Sequence, residues 1–219
     1  MYCKKTNNGA SADKFTSLAL ENFNLNNHNS RTGIPGMVYY RNLAYIIDGT
    51  SNTILWGEHI RGVLGSNSIK TAYHNSITIV PEWSTPAVGN SAMVGYCMAL
   101  SDRSVDPNYW NSDVSTVPMC SGVRAYCALS QFTSFSTILP PNAPSCLSAG
   151  NDRVLQSITS YHAGGANVSL YDGAVRFIPN SINTVRDDVS TPMVKDYGVS
   201  DFGIWGAMGS VNGGENDML

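Results

Sequence analysis

Short runs of alternating apolar and polar residues recur along this chain, separated by stretches rich in turn-forming residues. The clearest run is Ala166-Asn167-Val168-Ser169-Leu170, followed by Tyr171-Asp172-Gly173 and then Ala174-Val175-Arg176-Phe177-Ile178. Two alternating segments flank an Asp-Gly pair, which predicts a β-hairpin. Val168 and Leu170 share a face, and so do Val175 and Phe177. Residues 76–80 alternate and are β-branched, so they read as a strand. Residues 37–40 and 132–139 also read as strands, the second ended by Pro140-Pro141. The segment Asp48-Gly49-Thr50-Ser51-Asn52-Thr53 predicts a capped turn running into an apolar stretch that ends at Glu58. Helix is scarce: residues 15–23 and 180–185 suit short helices, and residues 202–208 suit a buried clip. Residues 81–113 are irregular and rich in Gly, Pro and Asn. No repeat of fixed period is present. These elements imply a polar N-terminal segment over residues 1–36 and a single β-rich domain of the α+β class over residues 37–219.

Composition sharpens this picture. The 219 residues include only 13% charged residues, against 42% hydrophobic. Serine, asparagine and threonine number 26, 21 and 14. Such side chains bond locally to backbone and favour turns and strands over long helices. A net charge of −3 leaves no basic surplus for phosphates, so nucleic acid is excluded as the main partner. Low charge and five cysteines suit an oxidising, extracytoplasmic setting, at the cell surface or outside it. No run of 18 apolar residues exists, so no transmembrane segment is expected. Residues 1–9 are polar and do not read as a signal peptide. An exported chain of this kind is then a fragment, or one whose export segment has been removed.

Candidate chemistry is sparse. His162 and Asp172 invite a proton-transfer reading, but nine intervening residues in a strand would hold them far apart. Asp172-Gly173 should make the turn, and His162 should bond a loop. A hydrolase would need His162 within about 3 Å of a carboxylate or hydroxyl in a cleft. The Asp48 turn lacks the glycine spacing and lysine of a phosphate loop. Glu58 follows Ile54-Leu55-Trp56 and should be half-buried, accepting from backbone N–H groups or Arg61. Neither Gly-x-Ser-x-Gly nor a Cys/His nucleophile signature occurs. No enzyme, and no bound cofactor, is therefore expected. Tyr39, Tyr40, Trp56, Trp83, Tyr109, Trp110 and Trp205 are the candidates for a glycan platform. Asp102, Asp106 and Asp113 are the candidates for calcium, though their spacing is not that of an EF-hand.

Several segments together are familiar. His162 through Phe177, with His162 and Asp172-Gly173 at its ends, resembles the C-terminal signature of a bacterial family named for its H-x9-DG motif, the domain of unknown function 1559. Residues 47–58, residues 137–146 and residues 203–215 resemble three further blocks of that family, in the right order. The resemblance implies an exported pilin-like or pseudopilin-like head: an antiparallel sheet, a C-terminal hairpin and long irregular loops. Members of the family it resembles usually begin with a prepilin-type cleavage and methylation segment, and in such proteins a long N-terminal helix anchors or polymerises the subunit. The resemblance covers neither of these, and residues 1–36 and 98–125 match poorly.

The residues carrying the resemblance have structural roles to play. Asp48, Gly49, Thr50, Ser51, Asn52, Glu58, His162, Asn167, Asp172 and Gly173 should fix turns and register. Pro140, Pro141 and Asn142 should stiffen a loop. Within this frame Cys146 would bridge to Cys97, with Cys120–Cys127 as a second bridge, although sequence does not determine connectivity. The expectation is a non-enzymatic subunit acting through protein contacts, as a homo-oligomer, a filament or a decorated surface complex. A glycan- or solute-binding module is the alternative. If a helix from elsewhere covers the sheet, this chain by itself should expose an apolar face.

Overall fold

The structure is a computed structural model that describes residues 43–60, 77–80, 97–98, 116–117, 135–148, 154–184, 200, 202–210 and 213. Strands β1 (Ile54–Gly57), β6 (Gly165–Leu170) and β7 (Val175–Pro179) form an antiparallel sheet with β6 in the centre. Strands β2 (Ile77–Val80), β3 (Thr116–Val117), β4 (Ser145–Ser148) and β5 (Val154–Leu155) form a second sheet in the order β3-β2-β4-β5. There β2 and β4 run parallel, and the other neighbours are antiparallel. A 3-10 turn at Leu43–Tyr45 precedes β1, and a short helix α1 spans Gly203–Gly209. These elements fit the β-rich α+β class.

The hairpin forms where the alternation places it. Ala166 pairs with Ile178, Val168 with Arg176 and Ser169 with Val175. Gly173 holds φ at +89°, a left-handed conformation that favours glycine. Its N–H bonds Leu170 O at 3.0 Å, and Ala174 N bonds Asp172 Oδ1 at 2.9 Å. Period-two alternation sends Ala166, Val168, Leu170 and Ile178 to one face. There they join Ile54, Phe135, Ile158, Trp205 and Met208 in a buried core. The indole of Trp205 is fully buried and donates to Leu139 O at 2.8 Å, so its polar atom is satisfied.

Three local expectations are corrected. Residues 135–139 are not a continuous strand: Phe135 makes an isolated bridge and the chain bends through 137–139. All five of these residues are buried, so the segment fills space beneath the sheet instead of alternating across one. The neighbouring strands are β4 and β5, which the alternation test misses because each is short and serine- or leucine-bearing. Residues 180–184 form turns, not a helix. Ile182 N returns to Pro179 O at 3.0 Å, and Asn183 O is taken by Trp205 N at 3.0 Å, so no helical ladder propagates. The closing clip, by contrast, is helical: α1 buries Trp205, Gly206, Ala207, Met208 and Gly209. A Cβ on Gly209 would fall 2.8 Å from Thr137 Cγ2, so the helix packs closer than any side chain would allow. The expected strand at 37–40 and the helix at 15–23 lie outside the described residues.

Candidate interaction surface

The motif residues resolve into three clamps. The first is the turn at 48–53. Asn52 Nδ2 bonds Asp48 O at 3.1 Å and Thr53 Oγ1 bonds Gly49 O at 3.1 Å. Gly49 supplies φ +95°. The buried Asp48 carboxylate accepts Gly213 N at 2.7 Å, and Thr53 Oγ1 donates to Ser210 O at 3.2 Å, so the turn holds the chain just beyond the end of α1. Tyr171 N bonds Thr53 O at 3.0 Å and Asp172 N bonds Thr50 O at 3.1 Å. The two Asp-Gly turns therefore stand back to back. Ser51 is exposed at the tip.

The second clamp is Asn142. Pro140 and Pro141 fix the approach, and Asn142 sits at φ +60°, which Asn tolerates better than most residues. Its Nδ2 reaches Gly165 O at 3.2 Å and Asn180 Oδ1 at 2.9 Å, while its Oδ1 accepts Ser160 N at 2.7 Å. One buried amide thus joins the entry of β6 to the exit of β7. Nearby, Cys146 on β4 forms a disulfide with Cys97, with a Cα–Cα distance of 5.9 Å. Cys120 and Cys127 lie outside the described residues.

The third clamp is on the opposite face of the sheet. Glu58 Oε2 accepts Asn167 N at 3.0 Å and Asn167 Nδ2 at 3.2 Å. Its Oε1 stands 3.4 Å from His162 Nε2. The carboxylate takes a backbone N–H, as expected for Glu58, and it supplies the acceptor that β1 lacks at this row of the ladder. His162 meets a carboxylate, but not Asp172, which stands at the far end of β6. The His162 side chain is 58% exposed and lies on an open face. His162 N bonds Ser160 Oγ at 3.0 Å.

Around this clamp the outer face is apolar. Trp56 stands opposite Ser169, Ser169 opposite Val175 and Asn167 opposite Phe177. The face therefore has two rows, Trp56–Ser169–Val175 and Glu58–Asn167–Phe177. Trp56 is 44% exposed, Phe177 50% and Val175 69%. The sequence flagged Trp56 but not the other two. The signal was the register: an alternation that buries Val168 and Leu170 places Val175 and Phe177 with Ser169 and Asn167, outward. Trp205 belongs to the core; Tyr39, Tyr40, Trp83, Tyr109 and Trp110 lie outside the described residues.

Burial sets one titration apart. His59, beside Glu58, packs edge-on to Phe135 at 6.1 Å between ring centroids, and desolvation lowers its pKa to about 4. Among the described residues no three His, Cys, Asp or Glu side chains converge as a metal site would require. Asp102, Asp106 and Asp113 lie outside them. No helix among the described residues is long and apolar enough to cross a membrane.

Neither a curated protein nor a solved structure matches this chain. The family model SBP_bac_10, described as a protein of unknown function (DUF1559), matches residues 4–184, which include the Asp48, Asn142 and His162–Asp172 segments and stop short of α1. That span is well over half of the 219 residues, and the chain belongs to the DUF1559 family.

Proposed function

We propose that this chain is an exported, non-enzymatic subunit, pilin-like or pseudopilin-like, that works through protein–protein contacts in a filament or surface assembly. Its contact surface is the outer face of the β1-β6-β7 sheet. The observation that carries this is the exposure of Trp56, Val175 and Phe177 together on one sheet face. Aromatic and branched apolar groups held on fixed backbone lose little entropy on contact and serve as interface anchors. The polar side chains of the motifs point the same way. Asp48, Asn142, Glu58 and Asn167 spend their donors and acceptors on the chain itself. A disulfide between Cys97 and Cys146 suits an oxidising compartment.

A photo-crosslinking residue placed at position 56 in the producing cell tests the proposal. Adducts to protein are expected on irradiation. Absence of protein adducts, with a monomeric native mass, would reject it. Glycan binding is the competing use of the same face, because Trp56 and Phe177 flank the polar Glu58–Asn167–His162 group. Retention on a glycan array that Trp56→Ala abolishes would favour that use instead.

A further inference from the structure

We infer that the free edge of β7 is a strand-addition site for an extended partner segment that carries a carboxylate between two apolar residues. The inference rests on the protein-contact reading above and specifies the partner's chemistry.

The backbone comes first. Leu170 N bonds Ala174 O and Asn180 N bonds Gly164 O, both at 2.8 Å. Bonded pairs alternate along an antiparallel ladder, so Arg176 and Ile178 also turn their backbone groups toward β6. Val175, Phe177 and Pro179 turn theirs outward. Pro179 O is already taken by Ile182 N at 3.0 Å, which leaves two N–H donors and two carbonyl acceptors along the edge, at Val175 and Phe177. Proline has no N–H, so Pro179 ends the donor row. Among the described residues, none bonds the outward groups of Val175 or Phe177. The other edge of the sheet is engaged: Thr159 N bonds Glu58 O at 3.0 Å, and a Cβ on Gly57 would meet Phe135 Cε1 at 3.0 Å.

The side chains then select the occupant. Arg176 is exposed and makes no ion pair among the described residues. An antiparallel partner that bonds Val175 and Phe177 must place its intervening residue directly opposite Arg176. That is a non-hydrogen-bonded position, where Cα atoms approach to about 4.5 Å and side chains lie closest. Opposite charge there stabilises and like charge destabilises. The partner's two flanking residues fall on the outer face beside Val175 and Phe177, where apolar side chains extend the Trp56 surface. The matching pattern is apolar–acidic–apolar.

A second copy of the chain fits poorly. Two β7 edges paired Val175 to Phe177 would set Arg176 against Arg176. Shifting the register so that Phe177 faces Phe177 sets each arginine against Ile178, which leaves both guanidinium groups uncompensated. Arg176 and Pro179 thus discourage self-pairing, as edge charges and prolines commonly do, while an acidic strand converts the same arginine into an attraction.

Full-length, isotopically labelled protein titrated with the blocked peptides acetyl-TVEVT-amide and acetyl-TVKVT-amide tests this by amide shifts. The Val175 and Phe177 amides should move with the glutamate peptide, and the lysine peptide should bind about fivefold more weakly or worse. Arg176→Glu should reverse the preference, a swap that misfolding does not produce. Val175→Pro removes an outward donor and no β6–β7 bond, and should abolish the shifts. Unmoved Val175 and Phe177 amides, equal binding of both peptides, or concentration-dependent self-association through β7 would overturn the inference. If the peptides fail while position 56 still crosslinks to protein, the edge is wrong and the face stands. If both fail, both fall.

Discussion

Asn142 is the best place to test whether these motifs act as clamps. Its amide makes three contacts at 2.7–3.2 Å, to Ser160 N, Asn180 Oδ1 and Gly165 O. Its backbone N donates to Ile158 O at 2.8 Å, and its φ is +60°. Asn142→Ala removes the side-chain contacts and leaves the buried Ser160 N–H without an acceptor, which costs about 1–3 kcal/mol. Alanine also tolerates the left-handed region less well than asparagine, which adds to the loss. The expected loss is about 3 kcal/mol, a large share of a small domain's stability. Asn142→Gly loses the same contacts but not the conformational penalty. The added freedom of glycine in the unfolded chain returns part of that gain. Glycine should therefore be the milder change, by about 0.5–1 kcal/mol. Urea unfolding of the full chain, followed by tryptophan fluorescence and far-UV circular dichroism, reads both, because Trp205 is buried on Leu139 O. An alanine variant within 0.5 kcal/mol of the parent, or a glycine variant less stable than alanine, would refute the clamp.

Three further outcomes follow from other sites. Breaking the Cys97–Cys146 disulfide by Cys146→Ser opens a loop of 49 residues, for which the chain-entropy model gives about 4 kcal/mol at 25 °C; unchanged melting under non-reducing conditions would contradict it. Gly173→Val should cost about 1–3 kcal/mol: open space surrounds the position, so φ alone opposes the side chain, and an unshifted melting temperature would count against that. His59 holds its pKa near 4 when folded, while the unfolded chain takes up the proton near 6.5. Stability should be complete above pH 6.5 and should fall by about 1–3 kcal/mol between pH 6.5 and 4. His59→Asn should flatten that slope relative to the parent, and an unaltered slope would assign the acid sensitivity elsewhere.

Legibility in the sequence follows the range of the interaction. The hairpin at 165–179 was readable because its causes are local: alternation on each side and a glycine that can take positive φ. The turn at 48–53 was readable for the same reason, since its side chains bond carbonyls four residues away. Strands β4 and β5 were not, because Ser145–Ser148 pairs with a parallel strand far upstream and Val154–Leu155 is too short to alternate. The helix expected at 180–185 gave way to a distant donor, Trp205 N, at Asn183 O. At the candidate surface, Glu58 was expected to accept a backbone N–H, but its donor, Asn167, is 109 residues away. In the motif His162 is paired with Asp172, whereas in space its neighbour is Glu58. The exposed face was hidden by a question of parity, since Val175 and Phe177 look like core residues until the register assigns their side.

The division of labour across the sheet explains why the recognisable motifs and the proposed contacts involve different residues. At the ends of the sheet and on its outer face alike, each of these motif side chains meets a backbone N–H that the sheet itself does not satisfy. Asp48 takes Gly213 N, Asn142 takes Ser160 N, and Glu58 takes Asn167 N. Replacing Asp48, Asn142 or Glu58 should register in stability before it registers in binding. The residues of the proposed contact surface, Trp56, Val175, Arg176 and Phe177, are exposed on β1 and β7. Exchanging these should leave unfolding nearly unchanged and alter association alone. On the proposed reading, this chain's motif residues hold the frame and its contacts lie at the exposed positions of β1 and β7.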